Sequence, residues 1–245
     1  NLTFQYPGEK HPTLIDINLT INNGETMGIF GATGSGKSTL LSVISRIFDP
    51  QPGQIFLNGR DILDVPVETY WSALAFARQS PFLFSQSIEE NISLSALTPN
   101  DIDQMRLALA VNDASLTQEI EQFPDGFKTK VGERGITLSG GQRQRTALAR
   151  LFYRDFQFVL LDDVMSAVDH TTEKNLIEAI YRRDQTAARC IVSHRTSVLQ
   201  HADRIIILEN GRIIDEGTHS ELISRAGLYQ SAHLMQTQED AEVRS

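Results

Sequence analysis

Gly31-Ala-Thr-Gly-Ser-Gly-Lys-Ser38 stands between an apolar run, Glu25-Thr-Met-Gly-Ile-Phe30, and a helical pattern, Thr39-Leu-Leu-Ser-Val-Ile-Ser-Arg-Ile-Phe48. The eight residues fit G-x-x-x-x-G-K-[ST] in the strand, loop and helix context that gives this motif its meaning. Glycines let successive backbone N–H groups turn inward around phosphate oxygens. The helix that follows adds the partial positive charge of its N-terminus. Lys37 reaches the terminal phosphates as a point charge, and Ser38 offers a hydroxyl to Mg²⁺. Gly31, Ala32, Thr33, Gly34, Ser35, Gly36, Lys37, Ser38 and Thr39 are therefore the expected phosphate contacts. A glycine-rich turn with no ligand is the bland alternative, and motif plus context disfavour it.

Such a loop needs a carboxylate at the end of a neighbouring buried strand to hold the Mg²⁺. Phe158-Val-Leu-Leu-Asp-Asp163 supplies it: the apolar run ends in two aspartates. Asp162 is the expected metal residue, its charge offset by the ion. An aspartate in this place could also be a simple helix cap. Asp163, the second, is a candidate for chemistry.

The bulk composition sets limits. With 245 residues, 40% of them hydrophobic, the chain can bury a substantial core. Its net charge of -9 argues against a nucleic-acid surface. One cysteine allows no internal disulfide. No apolar run reaches membrane-spanning length, and the start, NLTFQYPGEK, already reads as a strand, as in a piece of a longer polypeptide.

Along the chain, strand patterns at NLTFQY, LIDINLTI and ETMGIF precede the phosphate loop. QIFLNG reads as a strand closed by an Asn-Gly turn, and ALAFARQ as another. From about residue 81 to about 155 the pattern becomes helical, after which FQFVLL, CIVSH and RIIILENG restore buried strands around a helix at TTEKNLIEAIYRR. The domain is expected over residues 1–236, with residues 237–245 a disordered polar tail.

Leu138-Ser-Gly-Gly-Gln142 opens a helical pattern and offers a second set of anion-seeking N–H groups. One triphosphate needs one such loop, so the second set serves a nucleotide held by another subunit. At this point the chain resembles the ATP-binding cassette (ABC) family, whose signature is LSGGQ. The resemblance runs from Asn1 to about Gln236. It implies an α/β fold: a RecA-like P-loop NTPase core with an antiparallel β subdomain and an inserted α-helical subdomain. It implies ATP and Mg²⁺ as cofactors and a second nucleotide-binding domain as partner.

The family pattern transfers residue by residue. Tyr6 matches the aromatic residue that stacks on adenine, an interaction worth roughly 1–3 kcal/mol per base in nucleic-acid systems. Gln79 matches the glutamine that contacts Mg²⁺ and the attacking water. Ser139, Gly140, Gly141 and Gln142 match the signature contacts to the partner's nucleotide, Asp169 the aspartate that communicates across the dimer, and His194 the histidine at the γ-phosphate. Lys130-Val-Gly-Glu-Arg-Gly135 is similar to a loop of ABC exporters that touches the transmembrane half. The region of Gln79 to Ile92, with Pro81, Phe82 and Phe84, resembles the surface that receives coupling helices. The resemblance places such a domain at the cytoplasmic face of a membrane.

Exporters of this kind usually carry glutamate where this chain has Asp163. Aspartate is shorter by one carbon–carbon bond, about 1.5 Å, and a misplacement of about 1 Å can cost on the order of 10²-fold in rate. The combination resembles the degenerate half of heterodimeric multidrug-type exporters, which binds ATP and hydrolyses it poorly. A competent homodimer using Asp163 is the alternative. A DNA-repair ATPase would need a long coiled coil or a basic surface, a GTPase would need N-K-x-D, and the resemblance of VGERG to the exporter loop favours an exporter over an importer.

Overall fold

A computed structural model describes residues 1–243 other than 97, 136, 166, 167 and 183–185. The chain forms two compact units: Asn1–Leu74, Gln157–Asp163 and Thr186–Ser245 make the first, and Ala75–Phe156 and Val164–Gln185 the second.

The first unit begins with β1 (Leu2–Phe4) and β2 (Leu14–Ile17), paired antiparallel, and β3 (Thr26–Phe30), every residue of which is buried. Next comes α1 (Lys37–Ile44), then the hairpin of β4 (Phe56–Leu57) and β5 (Arg60–Asp61). Its turn, Asn58-Gly59, has φ of 51° and 78°, the left-handed pair that an Asn-Gly hairpin requires. Outside the main sheet, the antiparallel strands of this unit form two separate two-stranded sheets. After α2 (Val67–Ala73), β6 (Leu74–Ala77) carries the chain into the second unit.

The second unit holds α3 (Ile88–Ile92), α4 (Gln104–Asp113), α5 (Thr117–Gln122) and α6 (Gly140–Tyr153). It is wider than the helical insertion expected over 81–155, because it starts at Ala75 and takes in the later helix. The chain returns through β7 (Phe158–Asp162) in the first unit, then crosses to α7 (His170–Arg182) in the second. The remainder lies in the first unit: β8 (Ala188–Val192), α8 (Thr196–Leu199), β9 (Arg204–Glu209), β10 (Arg212–Gly217), α9 (His219–Ser224) and α10 (Leu228–Val243).

Five strands of the main sheet lie wholly in the first unit, in the order β10-β9-β3-β8-β7. β9, β3, β8 and β7 are parallel, and β10 closes the edge antiparallel to β9. Parallel strands covered on both faces read as near-continuous apolar runs, which is the pattern of Val159-Leu-Leu161 and Ile205-Ile-Ile-Leu208. Cys190, in the middle of β8, is fully enclosed, and burial, with the Asp162 charge nearby, pushes its thiol up to about 12.

The polar tail expected to be disordered from residue 237 instead continues α10 to Val243. Gln238, Glu239 and Ala241 are good helix formers, and neither Gly nor Pro interrupts them. Residues 244 and 245 lie outside the described residues. Among the described residues, no helix is long and apolar enough to cross a membrane.

Candidate functional site

The phosphate loop leaves the carboxyl end of β3 and enters α1. A side chain at Gly31 would place its Cβ 2.3 Å from the Leu208 carbonyl oxygen, so only glycine lets the loop pass. Gly36, the residue that opens α1, has φ 107°, a conformation that L side chains rarely adopt. The loop folds over Lys37, which is buried and donates from Nζ to the carbonyls of Gly31 and Ala32, each at 2.8 Å. Desolvation lowers the lysine's proton affinity, and the charges of Asp163 and Asp162 oppose that shift.

The two aspartates arrive from β7. Asp162 pairs in register with Val192, the last residue of β8, and its Oδ1 accepts from the Ser38 hydroxyl at 3.1 Å. Asp163 extends the ladder by one more bond, its N–H donating to the Val192 carbonyl at 3.0 Å, while its own φ of 49° turns the chain sharply out of the sheet. Aspartate enters the left-handed region more readily than most side chains. Both carboxylates are buried. His194 follows two residues after β8, half-buried at the same edge. The carboxyl edge of a parallel sheet is where α/β folds bind ligands.

Tyr6 completes this half. Its ring meets Phe4 and Phe48 edge-on, each at 5.1 Å, and its hydroxyl shares a 3.0 Å hydrogen bond with Thr39. The sequence reading missed Phe4 and Phe48 as supports. Both are aromatic and near the motifs, which is the signal that could have found them.

These residues fit a nucleoside triphosphate with Mg²⁺. Glycine at 31 and 36 lets the loop lie tight against Leu208, Thr13 and Leu14, and the space beside Gly34 is open. The Ser35 hydroxyl, buried, has no hydrogen-bond partner among the described residues. Ser38 and Asp162 supply the few hard oxygens that Mg²⁺ takes from a protein when phosphates provide others.

The second unit carries the other expected residues. Ser139 caps α6: its hydroxyl accepts from the Gln142 N–H at 3.2 Å, and Gln142 Oε1 accepts from the Ser139 N–H at 2.9 Å. Ser139 and Gly140 are exposed at the start of this 14-residue helix, with Gly141 half-buried. Asp169 caps α7, its Oδ1 accepting from the N–H groups of Thr171 and Thr172 and its Oδ2 from the Thr172 hydroxyl. The Thr172 N–H, then the Thr172 hydroxyl, hold this carboxyl below the usual range. Ser166 and Ala167 beside it lie outside the described residues. Gln79 is exposed two residues beyond β6. The structure therefore gathers Tyr6, the phosphate loop, Asp162, Asp163 and His194 in one unit, and Gln79, the LSGGQ segment and Asp169 in the other.

The two stretches expected to face transmembrane domains adjoin each other within the second unit. Ser87 bridges Lys130 antiparallel, and Val131 N–H donates to the Gln86 carbonyl at 3.0 Å. Phe82 and Phe84 are exposed by 53% and 45%, their rings edge-on at 5.1 Å. They rim a cleft of about 540 Å³ whose wall includes Ala75, Leu94, Arg150 and Arg154. Arg150 is fixed there by bonds to the Asn91 and Phe82 carbonyls, and desolvation brings it down to about 10.

The ABC transporter family model matches residues 14–166, more than half of the chain. An ATP-dependent lipid A-core flippase of Ralstonia nicotianae is 37% identical over 96% of the chain. A Staphylococcus aureus protein named for multidrug export, an ATP-binding/permease protein, is 38% identical over 96%. The chain spans 40% of the length of each of these relatives. Among solved structures, a bacterial Atm1-family ABC exporter with ATP bound superposes with a TM-score of 0.91 at 30% identity, over 97% of this chain and 41% of that one. On the phosphate loop, the paired aspartates, the signature helix and these likenesses together, the chain belongs to the ABC transporter family, as its nucleotide-binding ATPase domain.

Proposed function

We propose that this domain is the motor of an exporter, closing on MgATP with a second such domain at the cytoplasmic face of a membrane. The names of the relatives, a flippase and a multidrug export protein, support outward transport. In this reading Tyr6 stacks on adenine, the 31–39 loop and Lys37 hold the phosphates, and His194 touches the γ-phosphate. Ser38, Asp162 and Gln79 would hold Mg²⁺, which when bound offsets phosphate charge and polarises the γ-phosphoryl group. Ser139 to Gln142 and Asp169 face the nucleotide of the other domain. The Phe82 and Phe84 cleft, within the region of Gln79 to Ile92, and the Lys130 to Gly135 loop receive the transmembrane domains.

The observation that carries the reading is the junction of Lys37, Ser38, Asp162 and Asp163 at one sheet edge. Asp163 has the charge to orient the attacking water and accept its proton. Its side chain is about 1.5 Å shorter than glutamate's. We therefore read the site as one that binds ATP and turns over slowly, paired with a different subunit that carries glutamate.

The test is steady-state phosphate release by the assembled transporter, with the partner's catalytic glutamate changed to glutamine. Asp163→Glu should raise turnover roughly 10-fold or more while nucleotide affinity holds. If Asp163→Glu does nothing and Asp163→Ala abolishes a brisk activity, aspartate is an adequate base and a competent homodimer takes the place of this reading.

A further inference from the structure

The turn that carries His194 is held from outside by the C-terminal helix. Tyr229, His233 and Gln236 on α10 are spaced i, i+4 and i+7, so they share one face. At the top of that face the Tyr229 ring stands edge-on to Phe30 at 5.1 Å, against the last residue before the phosphate loop. At the bottom, Gln236 Nε2 donates to the His194 carbonyl at 2.7 Å. The same side chain's Oε1 accepts from the Thr196 N–H at 2.8 Å and from the Thr196 hydroxyl at 3.0 Å. One amide thus spans the turn from His194 to Thr196. Since the single Thr196 hydroxyl proton goes to Gln236, His233 Nδ1, 3.1 Å away, must be the donor to that oxygen.

The clamp meets a local need. Thr196 opens α8, a four-residue helix whose N-cap, Arg195, makes no side-chain cap bond. Helix-start N–H groups require acceptors, and Gln236 supplies one from 40 residues away. On the near side, the Ser193 hydroxyl accepts from the Arg195 N–H at 3.0 Å. The backbone around His194 is fixed on both flanks, and the distal fixture is Gln236.

We propose that Gln236 is a positioning residue for His194: by bonding both ends of the turn it holds the imidazole toward the γ-phosphate, so that the C-terminal helix sets how strongly the domain distinguishes ATP from ADP. This rests on the γ-phosphate role read for His194.

The test compares ATP and ADP affinities of the 245-residue chain in His194→Ala, Gln236→Leu and the double variant, using displacement of a fluorescent nucleotide. ADP, which lacks the γ-phosphate, reports on the loop and fold alone. Gln236→Leu should lower the preference for ATP over ADP about 5-fold, the worth of one or two hydrogen bonds, with ADP affinity unchanged. Gln236→Glu keeps the acceptor for Thr196 and loses the donor to His194, so it should also lower the preference and serves if the leucine variant does not fold. In a His194→Ala background neither change should have further effect. An unaltered preference in both Gln236 variants, with His194→Ala lowering it, overturns the proposal alone. An unaltered preference in His194→Ala overturns both the proposal and the role of His194. A loss of ADP affinity equal to that of ATP makes Gln236 a structural residue only and likewise overturns it.

Discussion

The Ser38 hydroxyl donates to Asp162 across 3.1 Å, joining groups 124 residues apart in the chain. In the function proposed above, this hydroxyl and this carboxylate are two ligands of one Mg²⁺. A carboxamide can still accept the Ser38 bond while losing the charge. Asp162→Asn should therefore fold normally and lose Mg²⁺-dependent nucleotide binding. Titration with and without Mg²⁺ checks this, and a variant whose binding still responds fully to the metal would remove Asp162 from the site.

Lys37 is held by two carbonyls of its own loop. Lys37→Ala should weaken ATP binding on the order of 10²-fold, the scale of one or two charge-assisted hydrogen bonds. Lys37→Arg should recover little of it, because the planar guanidinium does not fit where a compact ammonium sits. Equilibrium titration with a fluorescent ATP analogue measures both.

Asp163 sits at φ 49°. Glycine suits that backbone, and a β-branched residue does not. Thermal melts should show Asp163→Gly above Asp163→Val by the equivalent of about 1–2 kcal/mol, since both remove the carboxylate and only the second strains the turn. Equal melting temperatures would show that the left-handed turn relaxes. The glutamate variant carries part of this strain, so its gain in turnover should come with a small fall in melting temperature.

Tyr6 separates two contributions. Tyr6→Phe removes the hydroxyl bond to Thr39 and keeps the ring between Phe4 and Phe48. Tyr6→Ala removes the ring. The first should change ATP affinity little, and the second should reduce it by roughly 5- to 100-fold, in keeping with about 1–3 kcal/mol for stacking. Inorganic triphosphate, which has no base, should bind both variants alike.

The Asp169 cap carries a pH signature. Its folded-state carboxyl lies below the ordinary value of 3.8. The stabilisation is therefore complete above that value and drains away as pH falls through the depressed one. Exchange protection of the Thr171 and Thr172 amides should follow that course. Asp169→Asn, which still accepts from the same N–H groups, should flatten the profile. An unchanged profile in that variant would assign the titration elsewhere.

The local motifs were legible because each is short and its chemistry is written in adjacent residues. Gly31 to Ser38 needs only a preceding strand and a following helix. The Asn58-Gly59 hairpin needs only two residues that tolerate positive φ. Asp162 ends an apolar run that could only be a covered strand. The features that escaped depend on partners far away in sequence. Gln236 sits in a polar stretch with no apolar rhythm, and its bonds go to residues 40 and 42 positions earlier. The same lack of rhythm made the tail look unstructured, whereas residues 237–243 only extend a helix already nucleated from Leu228. The left-handed turn at Asp163 was also invisible, since aspartate is common in ordinary turns and only the ladder bond to Val192 reveals the constraint.

Cys190 is the chain's single thiol, sealed in β8 with its proton held up to about 12. Burial keeps the thiol protonated at pH 7 and out of contact with solvent. The native domain should therefore react very slowly with maleimides and methanethiosulfonates. A spin label or fluorophore introduced through a cysteine at one exposed position outside the site, such as Met105, would report without background and without first stripping out a natural cysteine. If two such domains close on nucleotide as proposed, the distance between their labels would follow that movement in the unaltered sheet.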